Sequence, residues 1–507
     1  MFFPKLLFCL LKGSLHKVFQ IIGFILVLHL ISVANASDSE SNQLLFKLND
    51  LTVTNSIYFT IPFPQKVLHY KDKLKLTYDG TDIPFKAYSL LNWPESNGLG
   101  NLRLVAIYLP IGLNGDYQLS WAKSFKEPLQ KVFIKKGDLQ EVTLPEEWLN
   151  LLNYGPTGCI TNSDCANQWY DKSFSGYGKW LSDKELTSTP KIKTSSWLYD
   201  KVFSYYQLYF RTGDNYWKQI AHQYANHYRD KINEEGWFTG CRANDLKCLN
   251  AGGLILDHLF YPDEINYEII AQFYKNSLSW PARYDNSKGF WTERHLSSAL
   301  SIALSWWELT GEDTVYQRIE SLLSSIQEQM QGNTLGCLAH TNRQHENKND
   351  DTLVCSPWMT ALVYEPLWRF YFLTQHQQTG TILMGLSNFM TEKGIFYSEN
   401  NHLRDQAIPD YLVFFEPSVF IDRNAWTDRE HACDVTGMML RSAYVRKLNN
   451  VSNHEQINIA KKLLKTCEKT MFKNNSKAWT IKPDRKFNWW FSTTYNMPFL
   501  IQKLGIE

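Results

Sequence analysis

Side chains able to move a proton or hold an anion recur in this 507-residue chain at one kind of place. That place is the first turn of a stretch whose apolar residues fall three and four apart, the spacing of a helix with one buried face. The clearest case runs from Thr292 to Leu309. Thr292 stands where an N-cap belongs, Glu293, Arg294 and His295 come next, and Leu296, Leu300, Ala303, Leu304 and Trp307 mark the buried face. A guanidinium beside an imidazole suits proton abstraction next to a carboxylate. The cation neutralises the anion, the neighbouring C–H becomes acidic, and the imidazole takes the proton. Arg294 is the candidate clamp and His295 the candidate base, with Tyr199 or Tyr364 as donor to a leaving oxygen. Arg429 and His431 form a second cluster in Asp428-Arg429-Glu430-His431-Ala432-Cys433-Asp434, and Asn250 offers a further donor to the carboxylate.

Hydrolysis of a glycosidic bond needs two opposed carboxyls instead. Asp200 and Asp434 lie on different helices, as such a pair should; any of these acids can be an N-terminal charge favoured by the helix dipole, and for Glu293 and Glu430 that is the better reading. Trp197, Trp291 and Trp358 stand near helix starts, where a ring face can stack on a sugar. Each residue also has a plainer reading. Arg294 can pair with a loop acid, His295 can brace a helix, and the tyrosines and tryptophans can pack the core.

The elements that would carry these side chains fall into two halves. Residues 37–140 read as a β-barrel or sandwich: Ile57 to Ile61, Leu74 to Tyr78 and Leu102 to Tyr108 are strand-like, separated by Asp79-Gly80, Asn97-Gly98 and Asn114-Gly115. Residues 141–194, rich in Gly, Ser, Thr and Pro, read as a connector packed on the helical half. From 195 to 507 the pattern is helical and paired. LYFRTGDNYWKQIA, SWWELTGEDTVYQRIE, YFLTQHQQTGTILMGL and VRKLNNVSNHEQINIA mark four tight turns between antiparallel partners. Pairs of irregular period suggest either a solenoid or a closed (α/α) toroid; the varying period and the aromatic content favour closure, with the first helix of each pair lining the inside and its N-terminus at the cleft mouth. The fold class expected is therefore α+β multidomain.

Residues 1–36 read as an export signal: lysines lead, an apolar run spans Val18 to Val33, and Ala34-Asn35-Ala36 supplies a small-x-small cleavage pattern. Its removal takes three lysines and no acid, leaving a charge of about −2 and no basic field for nucleic acid. No later segment is long and apolar enough to span a bilayer. Eight cysteines remain beyond Cys9, falling into neighbouring pairs compatible with disulfides in a periplasmic or extracellular protein. Asn349-Asp350-Asp351 is the local acidic cluster open to calcium, and otherwise a solvated loop.

The run Phe59-Thr60-Ile61-Pro62-Phe63-Pro64, with Leu76-Thr77-Tyr78-Asp79-Gly80, Ile83-Pro84, Asn92-Trp93-Pro94 and Leu102-Arg103-Leu104-Val105, resembles the N-terminal RIFT-type β-barrel module of exo-acting rhamnogalacturonan lyase-like proteins. The helical half resembles the (α/α) toroids of polysaccharide lyases and glycoside hydrolases. The resemblance implies an acidic polysaccharide or oligosaccharide as substrate, cleaved by β-elimination. Glycoside hydrolysis and glycan binding without catalysis are the alternatives.

Overall fold

The computed structural model describes residues 42–49, 51, 56–94, 100–130, 138–155, 167–187, 192–241, 245–283, 292–344, 350–399, 402–404, 406–416, 423–472 and 480–506. The export-signal reading, Trp291, Cys159 and Cys165 lie outside the described residues.

The first strands are β1 (Asn42–Leu48), β2 (Ile57–Pro62), β3 (Lys73–Tyr78), β4 (Thr81–Asp82), β5 (Lys86–Asn92), β6 (Leu102–Leu109), β7 (Gly115–Ala122), β8 (Asp138–Leu139) and β9 (Val142–Thr143). They form two sheets, β4-β3-β7-β1-β9 and β5-β6-β2-β8. In β1 alternate residues are buried, with Leu44, Phe46 and Leu48 inward, as expected for a sheet with one wet face. In β2 every residue is buried. Its sheet has the other sheet on one side, where Phe46 and Phe59 approach to 5.4 Å, and helices on the other, where Thr60 donates to the Phe260 carbonyl. Cover on both faces is why this strand reads as a continuous apolar run.

The helices are α1 (Glu146–Leu152), α2 (Gln168–Leu186), α3 (Lys201–Thr212), α4 (Asn215–Arg229), α5 (Gly252–Phe260), α6 (Glu264–Ser277), α7 (Glu293–Thr310) and α8 (Asp313–Gln331). They continue with α9 (Pro357–Thr374), α10 (Gln377–Glu392), α11 (Ala425–Asp428), α12 (Ala432–Leu448), α13 (His454–Phe472), α14 (Lys486–Thr494) and α15 (Met497–Lys503). Helices α3, α5, α7, α9, α12 and α14 each pack on the next, and α14 packs back on α3. That contact closes the ring. Around it lie α4, α6, α8, α10 and α13, each packed on its inner partner.

The repeated turn phrases act as the spacing predicts. Gly213 and Gly311 take left-handed backbone (φ 68° and 65°) after α3 and α7, and the Asp214 carboxylate caps α4 by accepting from Tyr216 N.

Three local expectations are corrected. The segment 141–194 is more than a connector: it contains α2, which packs against α14, α3 and α13 as the outer helix of the sixth pair. Its Gly178 suggested a loop. In the helix, a Cβ there would stand 2.7 Å from Leu208 Cδ1, so glycine permits the close approach to α3. The last helical stretch is broken into α14 and α15 at Tyr495-Asn496, with Pro498 in the first turn of α15. Thr292 occupies the N-cap position of α7 without capping it, its hydroxyl going to His295 Nδ1 at 2.9 Å.

The β-sheets pack at the C-terminal ends of the inner helices. Arg103 of β6 reaches into the ring, where Arg103 Nη1 and Glu308 Oε2 are 2.7 Å apart. Arg369 and the Tyr154 hydroxyl donate to the same carboxylate, and all four groups are buried. This ionic plug leaves the N-terminal side as the open end. Cys241–Cys248, Cys337–Cys355 and Cys433–Cys467 are paired in the neighbour pattern expected.

Candidate functional site

Two chambers meet at the N-terminal ends of the inner helices. The outer, about 430 Å³, is lined by Trp358, Tyr411, His431, Arg485 and Trp489 among others. The deeper, about 90 Å³, is lined by residues that include Asp200, Asn250, Lys247, Ser301, Glu365 and Thr493. Leu198, Tyr199 and Arg294 belong to both. They form the throat of one continuous cleft.

Tyr199 owes its position to an unusual backbone. Its φ is 69°, a conformation costly for an aromatic residue and retained only where the surroundings over-determine it. The loop before α3 is held from three sides. Asn250 Nδ2 donates to Trp197 O (3.0 Å), and Asn488 Nδ2 donates to Ser196 O (2.7 Å) and Leu198 O (3.2 Å). The Asp200 carboxylate accepts from Phe203 N and Gly253 N, tying α3 to α5. The Tyr199 ring stacks at 5.9 Å on Trp489. Burial raises the Tyr199 pKa, opposed by the positive charge of Arg294, which lines the same throat. The phenol therefore stays protonated at neutral pH, while its anion would have a cation next to it.

Arg294 lies over the Trp358 ring at 5.6 Å, and its Nε has no hydrogen-bond partner among the described residues. A cation held on an aromatic face with its Nε unpaired still lacks part of the acceptor set that an anion supplies. His431 stacks on Trp358 (4.6 Å) and packs at a tilt against Trp489 (4.5 Å), and those two rings also touch each other at 5.6 Å; its Nδ1 lies 3.7 Å from Asp434 Oδ2. Arg294, Tyr199, His431 and Trp358 are thus brought together in one chamber.

Other sequence-selected residues are placed elsewhere. His295 lines neither chamber: it stacks on Trp280 at 5.1 Å, lies 3.5 Å from Asp245, and burial lowers its pKa. Tyr364 points to the outer layer and donates to Leu383 O. Trp197 is buried against Tyr224, Tyr228 and Phe238. Arg429 sits over Trp426 at 4.6 Å. Asn250 lines the deep chamber while bracing the Tyr199 loop.

Among the carboxyls, Asp200 lines the deep chamber, but backbone N–H groups engage both its oxygens, and burial raises its pKa. Asp434 is buried behind the outer chamber, accepting from Thr493, with its pKa pushed well up by burial. Glu293 is buried, accepts from Ser356 N, and is pushed up to about 8 by burial. Glu430 pairs with Lys486 at 2.6 Å. In the acidic loop, Asp350 accepts from Thr352 N and Asn342, and Asp351 pairs with Arg343. Among the described residues, no three His, Cys, Asp or Glu side chains are grouped to hold a metal.

Among the lining residues that sequence reasoning missed are Glu365, Trp489, Tyr411 and Arg485. Glu365 had a signal, a lone carboxylate before Pro366 inside the apolar run of α9. Burial pushes it up to about 7 despite Arg369 and Arg441 nearby. Tyr411 had none, because it stands far from any helix start.

No protein-family model matches the chain, and no curated protein sequence does. Several solved structures are similar in chain path. The α-1,6-mannanase GH76A from Salegentibacter sp. HEL1_6 shares 8% identity over 66% of this chain and 99% of its own, with a TM-score of 0.45. A family 105 glycoside hydrolase from C. acetobutylicum shares 11% over 65% and 99%, with a TM-score of 0.43. The polysaccharide lyase BACCELL_00875 shares 9% over 67% and 99%, with a TM-score of 0.43. These are likenesses of fold, and the chemistry of the cleft rests on its own residues.

Proposed function

We propose that this chain is an exported carbohydrate-active enzyme that cleaves a uronate-containing glycan by β-elimination. One observation carries the reading: Arg294, Tyr199 and His431 line the same aromatic-walled chamber. Arg294 pairs with the sugar carboxylate and makes the C5 proton acidic. His431 takes that proton, and Trp358 and Trp489 offer faces for the rings. As the C4–O bond breaks and the C4=C5 bond forms, Tyr199 gives its proton to the leaving oxygen. The resulting phenolate is stabilised by Arg294, and solvent returns a proton to it as His431 loses one. The paired cysteines agree with an oxidising compartment.

The test incubates the mature chain with a panel of uronate polymers and tracks the ultraviolet absorbance of the conjugated 4,5-unsaturated product. A rise is expected with at least one polymer, and Tyr199→Phe is expected to slow it by roughly 10²–10⁴-fold. New reducing ends without that absorbance would reject elimination. They would favour hydrolysis, for which Glu365 is the candidate acid because its carboxyl is pushed up to about 7 in the deep chamber beside Asp200.

A further inference from the structure

The two chambers differ in chemistry by depth. Inner helices run parallel from the mouth, so residue number measures distance down the cleft. Arg294 lies in the first turn of α7. Ser301 and Glu365 each lie eight residues beyond the first residue of their helices, roughly 12 Å down at 1.5 Å per residue. The lining cations Arg294, Lys247 and Arg485 belong to helix starts and to the segments before them. The deep layer instead presents Glu365, the Ser301 and Ser492 hydroxyls and the Leu362 side chain. Beneath it the ionic plug closes the ring, with Arg369 engaged by Glu308.

Glu365 Oε1 is buried and has no hydrogen-bond partner among the described residues. A buried acceptor without a donor is costly, and a ligand hydroxyl is the group that would relieve it. The elimination chemistry uses neither this oxygen nor the Ser301 hydroxyl.

We propose that the deep chamber is a subsite for an uncharged, hydroxyl-bearing glycosyl unit, held by the Glu365 carboxyl next to the uronate position at Arg294. It rests on the elimination reading for the neighbouring uronate only. A second uronate would bring its carboxylate to the layer that holds Glu365, with Asp200 also on the lining; Arg369 and Arg441 stand near Glu365 but off the lining, and the lining cations belong nearer the mouth. A neutral ring offers hydroxyl donors to Glu365 and a C–H face to Leu362.

Ligand-observed NMR titration of the mature chain tests this, using neutral methyl hexosides and methyl uronates at about pH 8, above the Glu365 value. Neutral glycosides are expected to bind, and Glu365→Ala to weaken them by about tenfold or more while leaving uronates bound. Glu365→Gln keeps shape and a polar partner. It is expected to hold neutral glycosides within about threefold. Neutral glycosides that fail to bind, or that bind Glu365→Ala as they bind the unaltered chain, overturn the subsite. Glu365-dependent binding of neutral glycosides without elimination sinks the lyase reading alone. Elimination with Glu365-independent binding sinks the subsite alone.

Discussion

Replacing Glu308 by alanine should be among the most damaging single changes in the ring. Its carboxylate is fully buried, receives Arg369 Nε at 2.5 Å and the Tyr154 hydroxyl at 2.8 Å, and lies 2.7 Å from Arg103 Nη1. Removing it leaves two buried guanidiniums without their counter-charge, a loss of about 3–5 kcal/mol. The effect should depend on pH in a definite sense. Burial pushes the Glu308 carboxyl up, but Arg369 and then Arg103 outweigh it and hold it below the usual carboxylate range. The unfolded chain therefore binds this proton at higher pH than the folded one. The stabilisation is complete above the unfolded value of about 4.3 and is lost as pH falls through the folded value. Urea unfolding monitored by tryptophan fluorescence, at a series of pH values, measures both effects. The deficit of Glu308→Ala should be full at neutral pH and shrink in acid. A deficit under about 1 kcal/mol, or one that does not change with pH, would refute the charge argument. Glu328→Ala, which breaks an exposed ion pair with Arg283, should leave the unfolding curve unmoved.

Asn488→Ala removes both donors that hold Ser196 O and Leu198 O, so Tyr199 should relax from its left-handed backbone. A stability loss of about 1–3 kcal/mol is expected and, on the proposed elimination, a fall in its kcat; an unchanged melting curve and rate would show that the loop needs no such brace. Replacing Cys433 and Cys467 together by alanine opens a loop with a sequence separation of 34, which joins α12 to α13. The loss should be about 3–4 kcal/mol. Unfolding in the presence and absence of reductant checks it, and a double variant as stable as the oxidised parent would end the argument.

The paired helices were legible because their signals are local. Thr212-Gly213-Asp214 and Thr310-Gly311-Glu312 contain the left-handed stop of one helix and the start of the next within three residues. Helix α2 was not legible, because Gly176 and Gly178 look like loop residues until Leu208 packs against one of them. In the cleft, the spacing drew attention to Arg294, Tyr199, His431 and Trp358, which do share a chamber. It could not tell Arg294 from His295. Adjacent residues on a helix point about 100° apart, so one reaches the cleft while the other stacks on Trp280.

The sequence suggested neighbour pairing of the cysteines, which the structure decided for the described ones. By itself, it determined the alternation of helix and turn and the chemical types gathered at helix starts. These come from hydrophobic period, cap residues and side-chain chemistry, which act over a few residues. Only the tertiary structure decided which partner closes the ring, that Arg103 of the β-sheets plugs its base, and that Glu365 and Trp489 line the cleft. Those outcomes depend on packing between residues hundreds of positions apart, where burial and charge are set by neighbours the local pattern does not name.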